Sequence, residues 1–243
     1  VCIDCNIKNV VALSTDKASK PVSLYGATKL ASDKMFVASN SYSGEHKTKF
    51  SVVRYGNVMG SRGSVVPFFI KEKKQGVLPI TDKRMTRFMI TLEEGVRLVW
   101  QVFDDMCGGE IYIKKIPSMK VTDLAIAIDK DAKHEVVGIR PGEKLHEEMI
   151  GADDSTYTYE YDDYYKILPA INNWSSSKDL IKDGKPVENG FEGDCKGNCR
   201  SDTKNAQNYS KTSWRVSNGI TWERNVKALS HLYSKFCRGA STF

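Results

Sequence analysis

Apolar positions along the chain fall into two alternating rhythms. Asn9-Val-Val-Ala-Leu-Ser14 and Phe50-Ser-Val-Val-Arg-Tyr55 are short, nearly continuous apolar runs, the pattern of strands covered on both faces. Between them, after a loop over 16–24 that contains Pro21, residues 25–42 are rich in Ala, Lys and Met and are predicted to form a helix. Residues 1–8 read as the end of a helix rather than the start of a domain, so a truncated chain is expected. A Gly-rich exit over 56–63 leads into a predicted helix over 65–75 that begins near Pro67, where proline is tolerated. Short strands are expected at 78–81 and 87–90, and Thr91-Leu-Glu-Glu94 has the spacing of a capping box opening a helix to Met106. The alternation continues with a strand at 110–115, a helix at 122–131, a strand at 135–139 and a short helix at 145–150. Strands alternating with helices imply an α/β fold on a parallel sheet. Tyr157-Thr-Tyr-Glu-Tyr161 alternates with period two and predicts a late, more exposed strand. Residues 170–211, dominated by Ser, Asn, Asp, Lys and Gly, read as loop or partly disordered chain. Asn218-Gly-Ile-Thr221 caps a final predicted helix to about Phe236, with Val226, Leu229, Leu232, Tyr233 and Phe236 on one face.

Composition narrows the class. The 243 residues are 40% hydrophobic, with 36 Lys and Arg against 30 Asp and Glu, an ordinary globular balance of net +6. No run approaches the ~18 apolar residues of a membrane span, and no basic-then-apolar leader opens the chain. A cytoplasmic protein without a membrane partner is therefore expected. After Leu168 there are 12 Lys and Arg against 7 Asp and Glu, so the tail carries +5 of the net +6 charge. Its basic residues alternate with Asp, Glu, Gly and Asn instead of lining up with aromatics, so no nucleic-acid partner is expected. A basic surface still favours an anionic small ligand.

Cys2, Cys5, Cys107, Cys195, Cys199 and Cys237 are free thiols by default in a chain without secretory context. Cys2 with Cys5 and Cys195 with Cys199 number four, but the three-residue gap in the second pair and the helical setting of the first match a zinc ribbon poorly. His46, His134, His146 and His231 show no i, i+4 pairing either, so no metal is expected.

Two segments carry candidate chemistry. Tyr25-Gly-Ala-Thr-Lys29 places a phenol and an ammonium one turn apart on the same helix face. A cation there favours the phenolate, giving a base for a sugar or steroid hydroxyl; the plainer reading is a Tyr and a Lys stacked on a helix surface. Ser14-Thr15-Asp16-Lys17 lies at the carboxyl end of the first strand, where ligands of open α/β sheets bind. Asp16 could serve as general acid and Lys17 as general base if their neighbours tune them apart, or both could be solvated turn residues.

With these motifs in place, the chain resembles the extended short-chain dehydrogenase/reductase superfamily, whose mark is Tyr-x-x-x-Lys after a strand ending in Ser or Thr. Ser14-Thr-Asp-Lys-Ala18, Leu24-Tyr-Gly-Ala-Thr-Lys-Leu30, Arg54-Tyr-Gly-Asn-Val58 and Gly138-Ile-Arg-Pro-Gly-Glu-Lys-Leu-His-Glu-Glu-Met149 look like the inverting UDP-N-acetylglucosamine 4,6-dehydratases of polysaccharide synthesis, over about residues 1–168. The resemblance implies the C-terminal part of a Rossmann-like parallel sheet with a smaller α/β substrate domain. It divides the chain into a cofactor part with the catalytic motif (1–76), a nucleotide-sugar part (77–168) and a polar extension with a terminal helix (169–243).

The implied cofactor is NADP and the implied substrate UDP-N-acetylglucosamine or a related UDP-sugar, in a protein expected to be a homo-oligomer. Tyr25, held by Lys29, would help oxidise carbon 4 and contact the cofactor. Lys17 matches the family's base for the carbon 5 proton, Asp16 the acid that expels the carbon 6 hydroxyl, and Thr15 the residue that holds the sugar. Asn57 matches a substrate contact, and Arg87, Arg140 and Glu143 match nucleotide contacts. A guanidinium suits a diphosphate, although each arginine could instead be a structural ion pair. Two features depart from the family. The Gly-x-x-Gly-x-x-Gly loop that cradles a dinucleotide pyrophosphate is missing, and residues 193–199 look like an insertion. A 4-epimerase on the same scaffold, or a non-catalytic sugar-nucleotide-binding fragment, are the alternative readings.

Overall fold

The computed structural model describes residues 1–170 and 181–195. The expected final helix, His231, Cys199 and Cys237 lie outside these residues. In chain order the first elements are β1 (Asn9–Thr15), α1 (Leu24–Ala38), β2 (Lys49–Tyr55), β3 (Asn57–Val58), α2 (Val65–Glu72), β4 (Val77–Ile80), β5 (Thr86–Ile90) and α3 (Leu92–Asp105). They are followed by β6 (Ile111–Lys114), β7 (Ser118–Lys120), α4 (Val121–Ile128), β8 (Lys133–Val136), β9 (Thr158–Glu160), β10 (Tyr164–Ile167) and β11 (Lys185–Pro186).

The main sheet has the order β1-β2-β6-β10-β9-β11. Its first three strands are parallel, with Asn9 opposite Lys49 and Thr15 opposite Tyr55, so β1 and β2 end at one level. Successive residues of β2 point to opposite faces. Val52 packs in a cluster with Phe36 and Val37 of α1, whereas Val53 packs with Leu98 and Val102 of α3. Helices thus cover both faces, which is why β2 is an unbroken apolar run. This is a Rossmann-like α/β arrangement, as the sequence implies.

The far half of the sheet corrects the expectation of an all-parallel sheet: β10 pairs antiparallel with both β6 and β9, and β11 pairs antiparallel with β9. β9 and β10 are joined by a tight turn closed by the Tyr161 amide on the Tyr164 carbonyl at 2.9 Å, and so short a link permits only antiparallel pairing. A second, smaller body is built on β3-β5-β7 and β4-β8. There α2, β4 and α4 enclose Phe69, Leu78, Ile80, Val121 and Ala125.

Residues 1–7 form one turn closed by amides of Asn6 on the Ile3 carbonyl and of Ile7 on the Cys2 carbonyl, with Asn6 left-handed at φ 53°. That is the hydrogen-bond pattern that terminates a helix. The short helix expected at 145–150 does not form. Its backbone groups are taken by distant partners: Glu147 N–H by Cys195 Sγ, Met149 N–H by the Gly193 carbonyl and the Met149 carbonyl by Arg54. Among the described residues no helix is long and apolar enough to cross a membrane.

Candidate active site

The site forms where β1 and β2 end side by side. Thr15 caps a 3-10 turn over Asp16–Ala18, and its hydroxyl donates to Asp16 Oδ1 at 2.8 Å. Asp16 is fully buried. Lys17 Nζ lies 3.0 Å from Asp16 Oδ1, 3.5 Å from Asn57 Oδ1 and 3.4 Å from Glu147 Oε1. An ammonium has three donors, and here each has an oxygen to face. Burial alone would lower the Lys17 pKa, but the Asp16 and Glu147 carboxylates outweigh it and the amine is raised above the ordinary lysine value. One oxygen of each carboxylate, Asp16 Oδ2 and Glu147 Oε2, is buried with no hydrogen-bond partner among the described residues.

Asn57 reaches this pair because the chain crosses from β2 to β3 at Gly56 with no room to spare. A methyl group on Gly56 would lie 2.4 Å from Phe88 Cβ and 2.7 Å from the Phe88 carbonyl oxygen.

Helix α1 delivers the second pair. Ser23 caps it by accepting the Gly26 amide at 3.2 Å, which sets Tyr25 in the first turn. Tyr25 is more than half exposed, and it contributes, after burial, to raising the pKa of Tyr55 at the end of β2. Lys29 Nζ donates to the Leu13 carbonyl at 3.1 Å, fixing the helix to β1. Gly26 makes the approach possible: a Cβ there would sit 2.4 Å from the Lys17 carbonyl oxygen. The two motifs, eight residues apart in sequence, are therefore in backbone contact.

The expected nucleotide contacts separate into two groups. Arg87 is buried, and its guanidinium donates to the carbonyls of Thr86, Lys144 and Leu145 at 2.7 to 3.2 Å. It holds the 144–145 backbone against β5 and adds positive charge near Lys17. Arg140 and Glu143 close a four-residue turn, the Glu143 amide donating to the Arg140 carbonyl at 3.1 Å. Pro141 and Gly142, the latter at φ 82°, are the residues this turn geometry favours. The turn borders a cleft of about 660 Å³ whose walls include Val65, Phe68, Phe69 and Lys71. Gly142 abuts Ser23, the cap of α1: a Cβ on it would lie 3.3 Å from Ser23 Cβ.

Sequence reasoning passed over three residues here. Glu147 lies inside the quoted Gly138–Met149 stretch, one of two adjacent glutamates with nothing in the string to separate them. Lys144 ties its segment to the Ser19 carbonyl at 2.6 Å. Cys195 is buried in the core, with Sγ 2.7 Å from Thr86 Oγ1 and 2.9 Å from the Glu147 amide. Burial first of all pushes its thiol up to about 11. It is a packing and anchoring residue, and among the described residues no cluster of His, Cys, Asp and Glu could hold a metal ion.

Residues 1–169 match the family described as polysaccharide biosynthesis protein. The chain belongs to that family. Within the polysaccharide biosynthesis proteins, it is 56% identical over 197 residues to the inverting UDP-N-acetylglucosamine 4,6-dehydratase of Campylobacter jejuni, covering 78% of this chain and 59% of the relative. A UDP-glucose 4-epimerase of Rickettsia conorii is 38% identical over 190 residues, covering 76% of this chain and 56% of that protein. The X-ray structure of Pen from Bacillus thuringiensis aligns with a TM-score of 0.78 at 30% identity, over 88% of this chain and 65% of that one. The chain spans about three fifths or less of the length of the curated relatives it matches.

Proposed function

We propose that this chain carries the dehydration site of a nucleotide-sugar 4,6-dehydratase, converting UDP-N-acetylglucosamine to its 4-keto-6-deoxy derivative with inversion at carbon 5. The observation that carries the reading is the Asp16–Lys17 pair at the strand ends, with a buried carboxylate, a half-buried ammonium and Nζ 3.0 Å from Oδ1, backed by α1 with Tyr25 and Lys29. Moving the Lys17 proton across that contact creates an amine and a carboxylic acid in one step. The amine takes the carbon 5 proton of a 4-keto sugar, and the acid protonates the carbon 6 hydroxyl as it leaves as water. Both side chains are then back in their resting ionic forms.

Thr15 and Asn57 orient the sugar, and Tyr25 accepts the carbon 4 hydroxyl proton under the influence of Lys29. Arg140 and Glu143, at the mouth of the cleft, take the nucleotide, while Arg87 positions the segment that bears Glu147. Residues 1–76 serve the redox half of the reaction and 77–168 the nucleotide sugar.

NADP, when bound, supplies the hydride acceptor and donor. Tyr25 and Lys29 suit its ribose end: the phenol is exposed, and Lys29 directs one of its three donors to Leu13, leaving two for hydroxyls among the described contacts. These 243 residues contain no Gly-x-x-Gly-x-x-Gly loop for the pyrophosphate, so the chain by itself is expected to hold the cofactor weakly and to turn over poorly.

The epimerase likeness favours a second reading on the same scaffold. An epimerase needs the Tyr and Lys but no acid–base pair for water loss, and Lys17 held between the buried Asp16 and Glu147 carboxylates favours the dehydratase. Mass spectrometry of UDP-N-acetylglucosamine incubated with the complete protein and NADP decides: loss of one water is expected, and a C4 epimer of unchanged mass would overturn the reading. Lys17→Ala is expected to abolish water loss while cofactor binding persists, and Tyr25→Phe to lose activity as well.

A further inference from the structure

A buried glutamate next to the reacting pair has no part in the reaction as written. Glu147 is 3% exposed, yet neither the resemblance nor the strand-end motif gives it a role. A carboxylate in such a place carries a desolvation penalty, and replacement by an uncharged group of similar size would relieve it. Its backbone is clamped on both sides by one residue: the Glu147 amide donates to Cys195 Sγ at 2.9 Å, and the Glu147 carbonyl accepts the Cys195 amide at 2.9 Å. With the backbone fixed, Oε1 stands 3.4 Å from Lys17 Nζ, opposite the 3.0 Å contact with Asp16.

We propose that Glu147 is the positioning residue for Lys17, a fixed negative charge that holds the amine at Asp16 Oδ1 and pairs with the ammonium formed when Lys17 takes the carbon 5 proton. The inference rests on the dehydratase reading for its chemical meaning, though not for the interaction itself. Glu147 gains and loses nothing during the reaction. The proton passes from Lys17 Nζ to Asp16, then from carbon 5 to Lys17, while the carbon 5 electron pair forms the carbon 5–carbon 6 double bond and the oxygen leaves with the Asp16 proton. A second carboxylate is useful because Asp16 is neutral during part of that sequence. Without Glu147, Lys17 would then have only Asn57 to hold it.

The surrounding charges fit this division. Lys17 faces Asp16, Glu147 and the Arg87 guanidinium. Glu147 faces Lys17, Lys144 at 4.0 Å and the Cys195 thiol, whose raised pKa keeps it neutral. His146 is turned to the Thr86 hydroxyl at 2.7 Å. Lys144 is tied to the Ser19 carbonyl and Arg87 to three others, so Lys17 is the cation there that the proposed chemistry moves.

Glu147→Gln keeps the shape and removes the charge. Trace labelling of the complete protein with acetic anhydride at pH 8, read lysine by lysine by mass spectrometry, reports the fraction of each lysine present as free amine. Losing an opposite charge at this distance lowers a pKa by about one unit or more, so Lys17 is expected to label about tenfold faster in the variant. Fully buried Lys166 serves as the reference for folding and is expected to be unchanged. Water loss from UDP-N-acetylglucosamine is expected to show kcat lowered about tenfold with KM within about twofold, the size of one lost charge-assisted contact. Unchanged Lys17 labelling, a parallel rise at Lys166, or an unaltered kcat would each overturn the inference. Failure of the wild-type protein to release water would sink the dehydratase reading instead, and the labelling ratio would still report whether Glu147 holds Lys17.

Discussion

Gly26 shows how a single missing side chain can decide a site. In the sequence it is one of three unassigned residues between Tyr25 and Lys29, and helix propensity argues against it. In the structure the first turn of α1 rests on the Lys17 carbonyl, and any Cβ would be far inside contact distance. Gly26→Ala is expected to cost about 1–3 kcal/mol through overpacking, and to impair turnover by pushing Tyr25 away from Lys17. Calorimetry and the water-loss assay check this; a variant with wild-type Tm and rate would show that the contact is slack. Arg54 makes the opposite case. It sits in the quoted Arg54–Val58 motif beside Asn57, and it is buried against Asp33 of α1 at 3.1 Å and donates to the Met149 carbonyl at 2.6 Å. Its charge joins β2, α1 and the Glu147 segment, so it supports the site from behind.

Elements closed by local chemistry are the ones the sequence predicts correctly. The α3 box is complete: Thr91 Oγ1 accepts the Glu94 amide at 3.2 Å and Glu94 Oε2 accepts the Thr91 amide at 2.9 Å. Thr91→Ala is expected to lower stability by about 1 kcal/mol, seen as a Tm lower by about 2–4 °C, with water loss unaffected because, among the described residues, the Thr91 hydroxyl bonds only Glu94 of its own helix. A combined drop in Tm and activity would mean that α3 is coupled to the site. Failures fall where partners are remote. Residues 145–150 have the composition of a short helix, but Cys195, Gly193 and Arg54 claim the backbone groups that a helix would use internally. The strand 164–167 passed unpredicted because its identity depends on pairing with β6 and β9 across the Asp162-Asp163 turn.

Across the whole molecule, Asp105 at the end of α3 joins the two halves of the main sheet. Burial pushes its carboxyl up, but hydrogen bonds from Lys166 of β10 and from Lys182, with Tyr112 of β6, bring it down to about 2. Lys166 is itself fully buried, with Nζ 5.0 Å from the ring centres of Tyr112 and Tyr161. A folded-state pKa below the unfolded value of about 4 means that this stabilisation is full above pH 4 and fades as the pH falls towards 2. Asp105→Asn is expected to lower Tm strongly at pH 7, since it leaves a buried ammonium uncompensated, and the gap to wild type is expected to narrow between pH 4 and 2. A gap independent of pH would show that the carboxylate charge is not what matters.

By itself the sequence determined the α/β class, the strand ends that bear Thr15, Asp16 and Lys17, and the i, i+4 pair of Tyr25 and Lys29. These depend on periodicity, capping and spacing, which act over a few residues and are written in the order of the chain. The tertiary structure alone decided that Glu147 and Asn57 complete the shell around Lys17. It also decided that Arg87 grips backbone, that Cys195 anchors Glu147, and that the sheet turns antiparallel after β6. Each of those depends on groups from 40 to more than 100 residues apart meeting in a low-dielectric interior. There a polar atom's partner is set by which elements pack together, and no local pattern records that choice.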